Sequence, residues 1–342
     1  MAVAYLENST NGRSVERWFT AWAAKAKAVA GHLVAKSIVK TLEVVAPRRA
    51  SVFLAEAFLR PPRFRTPPSE AAFLEGAVRF DLPVGGETLR CFRLGQGPAV
   101  LLVHGWGGRG TQLRAFAAPL LEAGCSVIGF DGPAHGDSTG RTASAPAFAD
   151  AVVALARAAG VRAAIGHSMG AAALALATSR GLSLDAVVLV SPPRTPVPFF
   201  EAFSEALGVE YYTRERARGA IERRLGVRML DLDVERAART STTPALVIHD
   251  REDDEVSFAE GAAIARSWPG SRLIVTHGFG HRRILKDRDV IETASAFVID
   301  HLPRCSCGRM ATESHGAPAQ CASCALDAYL EAREARAPRT AA

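Results

Sequence analysis

Gly166-His167-Ser168-Met169-Gly170 is the segment of this 342-residue chain best suited to chemistry. It follows an apolar run, residues 162–165, and opens an alanine-rich stretch. A serine at a sharp strand-to-helix turn stands on strained backbone, and flanking glycines let neighbouring chains come close. The helix start also turns free N–H groups toward any negative charge that develops beside the serine. A serine hydroxyl is a weak nucleophile at neutral pH, so it needs a base, and the base needs an orienting acid. Both are found downstream, in the order Ser, Asp, His. His249-Asp250-Arg251-Glu252-Asp253-Asp254-Glu255-Val256 follows an apolar run at 245–248, and His277-Gly278-Phe279-Gly280-His281 follows another at 272–275. Ser191-Pro192-Pro193-Arg194, after a third run, holds no carboxylate. Asp253, Asp250 and Asp254 therefore compete as the acid, and His281 and His277 as the base.

The elements that must position these residues are legible as a rhythm. Runs at 77–82 and 88–94, divided by Gly85-Gly86, predict a hairpin. Continuous apolar runs at 99–103, 126–130, 162–165, 186–190, 245–248 and 272–275 predict strands buried on both faces. Helical stretches near 111–123, 146–159, 169–180, 257–267 and 287–301 fall between most of them. The expected fold is α/β: a doubly wound, mostly parallel eight-stranded sheet. Residues 192–243 break the rhythm with further helical patterns, such as 213–225, and a connection that long predicts a helical lid insertion. Before the sheet, 14–46 reads as a helix, and Pro61-Pro62 and Pro67-Pro68 bracket a linker. The division expected is a basic N-terminal helical extension (1–68), a catalytic domain (69–302) and a cysteine-rich tail with a charged helix (303–342).

On these motifs the chain resembles the α/β-hydrolase superfamily over about residues 77–302. The resemblance implies that His104-Gly105-Trp106-Gly107-Gly108 supplies one oxyanion-hole amide, that of Trp106, and that Met169 supplies the second. It implies Asp253 as the acid, four residues after His249, and His281 as the base after a Gly-x-Gly stretch. Asp131-Gly132-Pro133-Ala134-His135-Gly136-Asp137-Ser138 matches a further loop of the family, with Ala134 where a glycine is expected. His104, His135, His167 and His249 are read as orienting loops by hydrogen bonds. The implied activity is that of a serine esterase: Ser168 attacks a carboxylic ester of a small acyl substrate, and water resolves the acyl-enzyme. The same triad can serve thioester, lactone or C–C bond hydrolysis, or acyl transfer, and fold does not choose among them. A hydrolase-fold protein used only for binding or regulation is the reading from another class.

Composition sets the remaining bounds. Hydrophobic content of 48% and charged content of 22% suit a globular protein that buries a full core without disulfides. The net charge of +6 is uneven: residues 1–68 hold eleven Lys/Arg against four Asp/Glu. A basic leader invites nucleic acid or anionic lipid, yet no nucleic-acid motif accompanies it. Lys25, Lys36 and Lys40 share a helix face but Lys27 lies opposite, so packing on the main domain or a partner is expected ahead of peripheral membrane contact. No signal peptide and no run of 18 apolar residues is seen, so a cytoplasmic location is expected. Cys91 and Cys125 read as small buried apolar residues. Cys305, Cys307, Cys321 and Cys324 are two close pairs, a spacing that suits a structural zinc. Catalysis itself calls for no cofactor.

Overall fold

The computed structural model describes residues 26–64 and 67–304. Two helices lead the chain, α1 (Ala26–Val45) and α2 (Pro47–Phe58), and a short α3 (Pro68–Phe73) follows the linker. The hairpin is β1 (Val78–Val84) and β2 (Glu87–Leu94), and the remaining strands are β3 (Ala99–Val103), β4 (Ser126–Phe130), β5 (Val161–His167), β6 (Ala186–Val190), β7 (Ala245–Asp250) and β8 (Arg272–Thr276). Between them run α4 (Ala117–Glu122), α5 (Ala145–Ala159), α6 (Met169–Ser179), α7 (Val197–Ala206), α8 (Tyr211–Leu225), α9 (Val234–Ala238) and α10 (Phe258–Ser267), with α11 (Gly280–Arg283) and α12 (Arg288–His301) closing the fold.

The eight strands form one sheet in the order β1-β2-β4-β3-β5-β6-β7-β8. β2 pairs antiparallel with β1 and β4, and every other pairing is parallel. The mostly parallel, doubly wound sheet expected from the apolar runs is the one found. All five residues of β3, of β4 and of β6 are buried. Successive side chains of a strand point to opposite faces, and the cores divide accordingly. Leu101 and Val103 join Phe148 of α5 and Leu174 of α6 on one face. Val100 and Leu102 join Leu120 of α4 and Phe297 of α12 on the other. Local signals set the ends of several helices: the Ser144 hydroxyl accepts from the Ala147 amide at the start of α5, and Gly160, at φ 63°, closes it.

A third cluster joins distant parts of the chain. Val39 of α1 and Ala50 and Leu54 of α2 pack with Phe200 of α7 and Ala217 and Ile221 of α8. The leading helices thus lie against the insertion at 192–243. One basic residue of α1 links the two parts: Lys40 reaches Glu43 of its own helix and Glu210, just before α8, each at 3.1 Å. α2 lies between the helix expected at 14–46 and the linker, where no separate element was expected. Among the described residues no helix is long and apolar enough to cross a membrane, and no group of His, Cys, Asp and Glu can hold a metal ion. The four tail cysteines lie outside the described residues.

Candidate active site

β5 ends at His167 and α6 begins at Met169, leaving Ser168 alone in the turn. Its backbone stands at φ 53° and ψ −122°. Non-glycine residues held in such sparsely populated regions cost about 1–3 kcal/mol, which the surroundings must offset. Two bonds hold the turn: the Ser168 amide donates to Val190 O (2.9 Å) and the Ala172 amide to Ser168 O (3.0 Å). Close approach completes it. A Cβ at Gly170 would lie 2.3 Å from the carbonyl oxygen of Val103, so only glycine lets α6 sit this near β3.

The loop after β3 crosses the same end of the sheet. His104 donates Nδ1–H to Gly105 O (2.7 Å) and accepts at Nε2 from the Gly132 amide (2.9 Å). His135 donates Nδ1–H to Pro133 O (2.9 Å) and accepts at Nε2 from the Gly107 amide (3.0 Å). Each ring needs one protonated nitrogen and one bare one, which is the neutral form. Burial enforces it, lowering His104 to about 4 and His135 to about 3. The two imidazoles therefore orient the 104–108 loop against the 131–138 loop. Ala134, where the family pattern has glycine, stands at φ 63°, in the left-handed region that glycine adopts most easily. Gly105 donates to Gln112 Oε1 (2.9 Å) and Gly108 to Gly105 O (3.0 Å). The Trp106 amide has no partner among the described residues. Neither has the amide of Met169, at the first position of α6, where no intrahelical acceptor exists.

The loops after β7 and β8 bring an acid to a base. His281 Nδ1 lies 2.9 Å from Asp253 Oδ2, with the His281 side chain 5% and the Asp253 side chain 0% exposed. The other carboxylate oxygen accepts from the amides of Glu255 (2.9 Å) and Val256 (2.8 Å). Burial opposes charge on Asp253, but the charges and hydrogen bonds of His281 and His249 override it and hold the carboxyl well below the usual range. For His281 too, burial disfavours the charged form, and the Asp253 carboxylate outweighs it, raising the imidazole above 6.5. The rivals have other places. Asp250 accepts from the Thr276 hydroxyl (2.7 Å) and the amides of Phe279 (3.1 Å) and Glu252 (3.0 Å), so it ties the two loops together. His277 is exposed beside Glu252.

Two contacts support His281 in ways its own motif does not announce. His167 Nε2–H donates to the main-chain oxygen of His281 at 2.9 Å, and the two rings lie 4.6 Å apart. Arg282 pairs with Glu255 in a forked contact of 2.6 and 3.2 Å, fastening the loop after β8 to the loop after β7. Every one of these segments follows the carboxyl end of a strand, where open α/β sheets place their crevices.

The family model described as the alpha/beta hydrolase family matches residues 100–296. The chain belongs to the alpha/beta hydrolase family. No curated protein matches the sequence. Among solved structures, this hydrolase-family chain is similar to an esterase from Exiguobacterium antarcticum, at 18% identity and a TM-score of 0.53, over 65% of this chain and 99% of that one. It is likewise similar to an esterase from Pyrococcus furiosus (18%, TM-score 0.54, 70% and 98%) and to a bacterial membrane phospholipase A (18%, TM-score 0.52, 80% and 98%). Identities this low speak for the fold. Cys91 and Cys125 are buried and unpaired, and burial raises their thiols to about 12 and about 11. They contribute nothing to the site.

Proposed function

We propose that the chain is a serine hydrolase that cleaves a carboxylic ester, with Ser168, His281 and Asp253 as its triad. Ser168 Oγ attacks the ester carbonyl carbon while His281 Nε2 takes its proton. The carbonyl oxygen, now negative, meets the amides of Trp106 and Met169. The C–O bond to the leaving alcohol breaks as His281 returns the proton to that oxygen. Water then enters by the same route, gives a proton to His281 and releases the acid from Ser168. Asp253 holds the imidazole with its Nδ1 proton inward and stabilises the charge that forms on it.

The observation that carries this reading is the fully buried 2.9 Å contact of His281 with Asp253. It leaves Nε2 as the one ring nitrogen able to take a proton. The strained elbow at Ser168 and the two unpartnered amides support it. Hydrolysis of a panel of carboxylic esters tests it. Turnover by the native chain should fall about 10⁴–10⁶-fold in Ser168→Ala, since the oxyanion donors alone retain little. Equal turnover by the two proteins contradicts the reading.

A further inference from the structure

A cavity of about 170 Å³ opens on Ser168. It continues along one face of α6, because Ser168, Ala172 and Leu176 recur at every fourth residue and all three line it. At 1.5 Å per residue the stretch from Ser168 to Leu176 spans about 12 Å. The opposite walls come from two parts of the chain far apart in sequence. Phe58 of α2 belongs to the N-terminal extension, while Phe203 of α7, Ile221 of α8 and Val234 of α9 belong to the insertion. The N-terminal helix α2 thus contributes to the cap over the site.

Two arginines are the charged residues of the lining. Arg194 is held by Asp233 and Glu235 at 3.3 and 3.0 Å, and Arg60 is exposed. The interior offers a polar acyl group almost nothing to bond with, and burying one unbonded is unfavourable. We propose that this cavity is an acyl channel that takes a linear apolar chain of about six to eight carbons, with Ala172 and Leu176 setting the length; the proposal rests on Ser168 being the nucleophile. Two magnitudes bound the chain. A cavity of about 150 Å³ accepts a benzene ring, that is six carbons. An extended chain of single bonds near 1.5 Å advances roughly 1.25 Å per carbon, so the span along α6 limits it to below about ten.

Binding of linear carboxylic acids of two to sixteen carbons to the Ser168→Ala protein, by calorimetry, tests the channel apart from catalysis. Affinity should rise about fourfold per methylene, then level off near eight carbons. Ala172→Leu should move that break to about four carbons, and Leu176→Ala should move it to longer chains, the two variants acting in opposite senses. Affinity indifferent to chain length, or a break at the same carbon number in both variants, overturns the proposal. A parallel series of esters on the native chain separates the two readings. Acids that bind with the expected break, without any ester turned over, leave an apolar chain-binding cavity and overturn its role as an acyl channel together with the hydrolase. Esters turned over regardless of chain length leave the hydrolase and remove the channel.

Discussion

At the scale of single residues, the arrangement is governed by which protonation state each group is forced to hold. His104 and His135 are buried with one donating and one accepting nitrogen, so they remain neutral and serve as struts. His281 differs because the buried Asp253 carboxylate raises it. A base must be unprotonated to work. Ester turnover by the native chain should therefore fall as pH drops through a value above 6.5. Asp253→Asn removes the charge that raises the imidazole, so the inflection should move to lower pH. It also frees the ring to adopt the wrong tautomer, which should lower turnover by about 10⁴-fold. A pH profile of both proteins reads the two effects together; an unmoved inflection contradicts the role of Asp253. Ser168, an acidic cluster at 250–254 and His281 stand out in the sequence because residue type, spacing and chain order agree for this chemistry, and the structure brings His281 into contact with Asp253. The choice of Asp253 over Asp250 was not legible from the local residues. It depends on which carboxylate turns inward, and Asp250 is taken up by Thr276 and by amides of both loops.

At the scale of elements, the strands and the helical insertion at 192–243 were easy to read, and the part of the cap that α2 supplies was not. Apolar runs such as 99–103 and 186–190 have one explanation when they recur between helical stretches: burial on both faces of a parallel sheet. α2 carries its own pattern, with Ala50, Leu54 and Phe58 four residues apart. Pro47 stands at the start of α2, and Pro68, read in the sequence as linker punctuation, stands at the start of α3; at both a missing N–H costs nothing. Periodicity also names a face and not its partner, and the partner, α8, begins more than 150 residues later. The element on which the site most depends is the elbow between β5 and α6. Gly170→Ala would drive a methyl group to within 2.3 Å of a main-chain oxygen that cannot turn away. Overpacking of this kind costs about 1–3 kcal/mol or more. A fall in thermal midpoint of several degrees is expected, with ester turnover lost alongside it. An unchanged midpoint would mean that β3 and α6 are less tightly apposed.

At the scale of the whole molecule, the carboxyl ends of the strands collect every candidate site segment, and two remote segments close over Ser168. Phe200 and Leu54 are fully buried against each other's elements, and each such side chain contributes about 1.5–3 kcal/mol of burial. The leading helices are thereby part of the fold and not an appendage. The tail is a separate matter. We propose that Cys305, Cys307, Cys321 and Cys324 bind a single structural zinc, since two close thiolate pairs suit a tetrahedral site and four protein ligands leave no position for water. Zinc content of the purified chain should be about one ion per molecule and fall to none when the four are changed to serine, with ester turnover per folded molecule retained. A zinc content that ignores the cysteines contradicts it.

The central claim is that Ser168 is a nucleophile activated by His281. It is tested most directly by treating the native chain with a serine-directed phosphonate and locating the adduct by mass spectrometry of the peptides. The expected result is one phosphonyl group on the peptide containing Ser168, and none in a folded Ser168→Ala protein. A folded native chain that takes up no label, or takes it up equally in Ser168→Ala, contradicts the account.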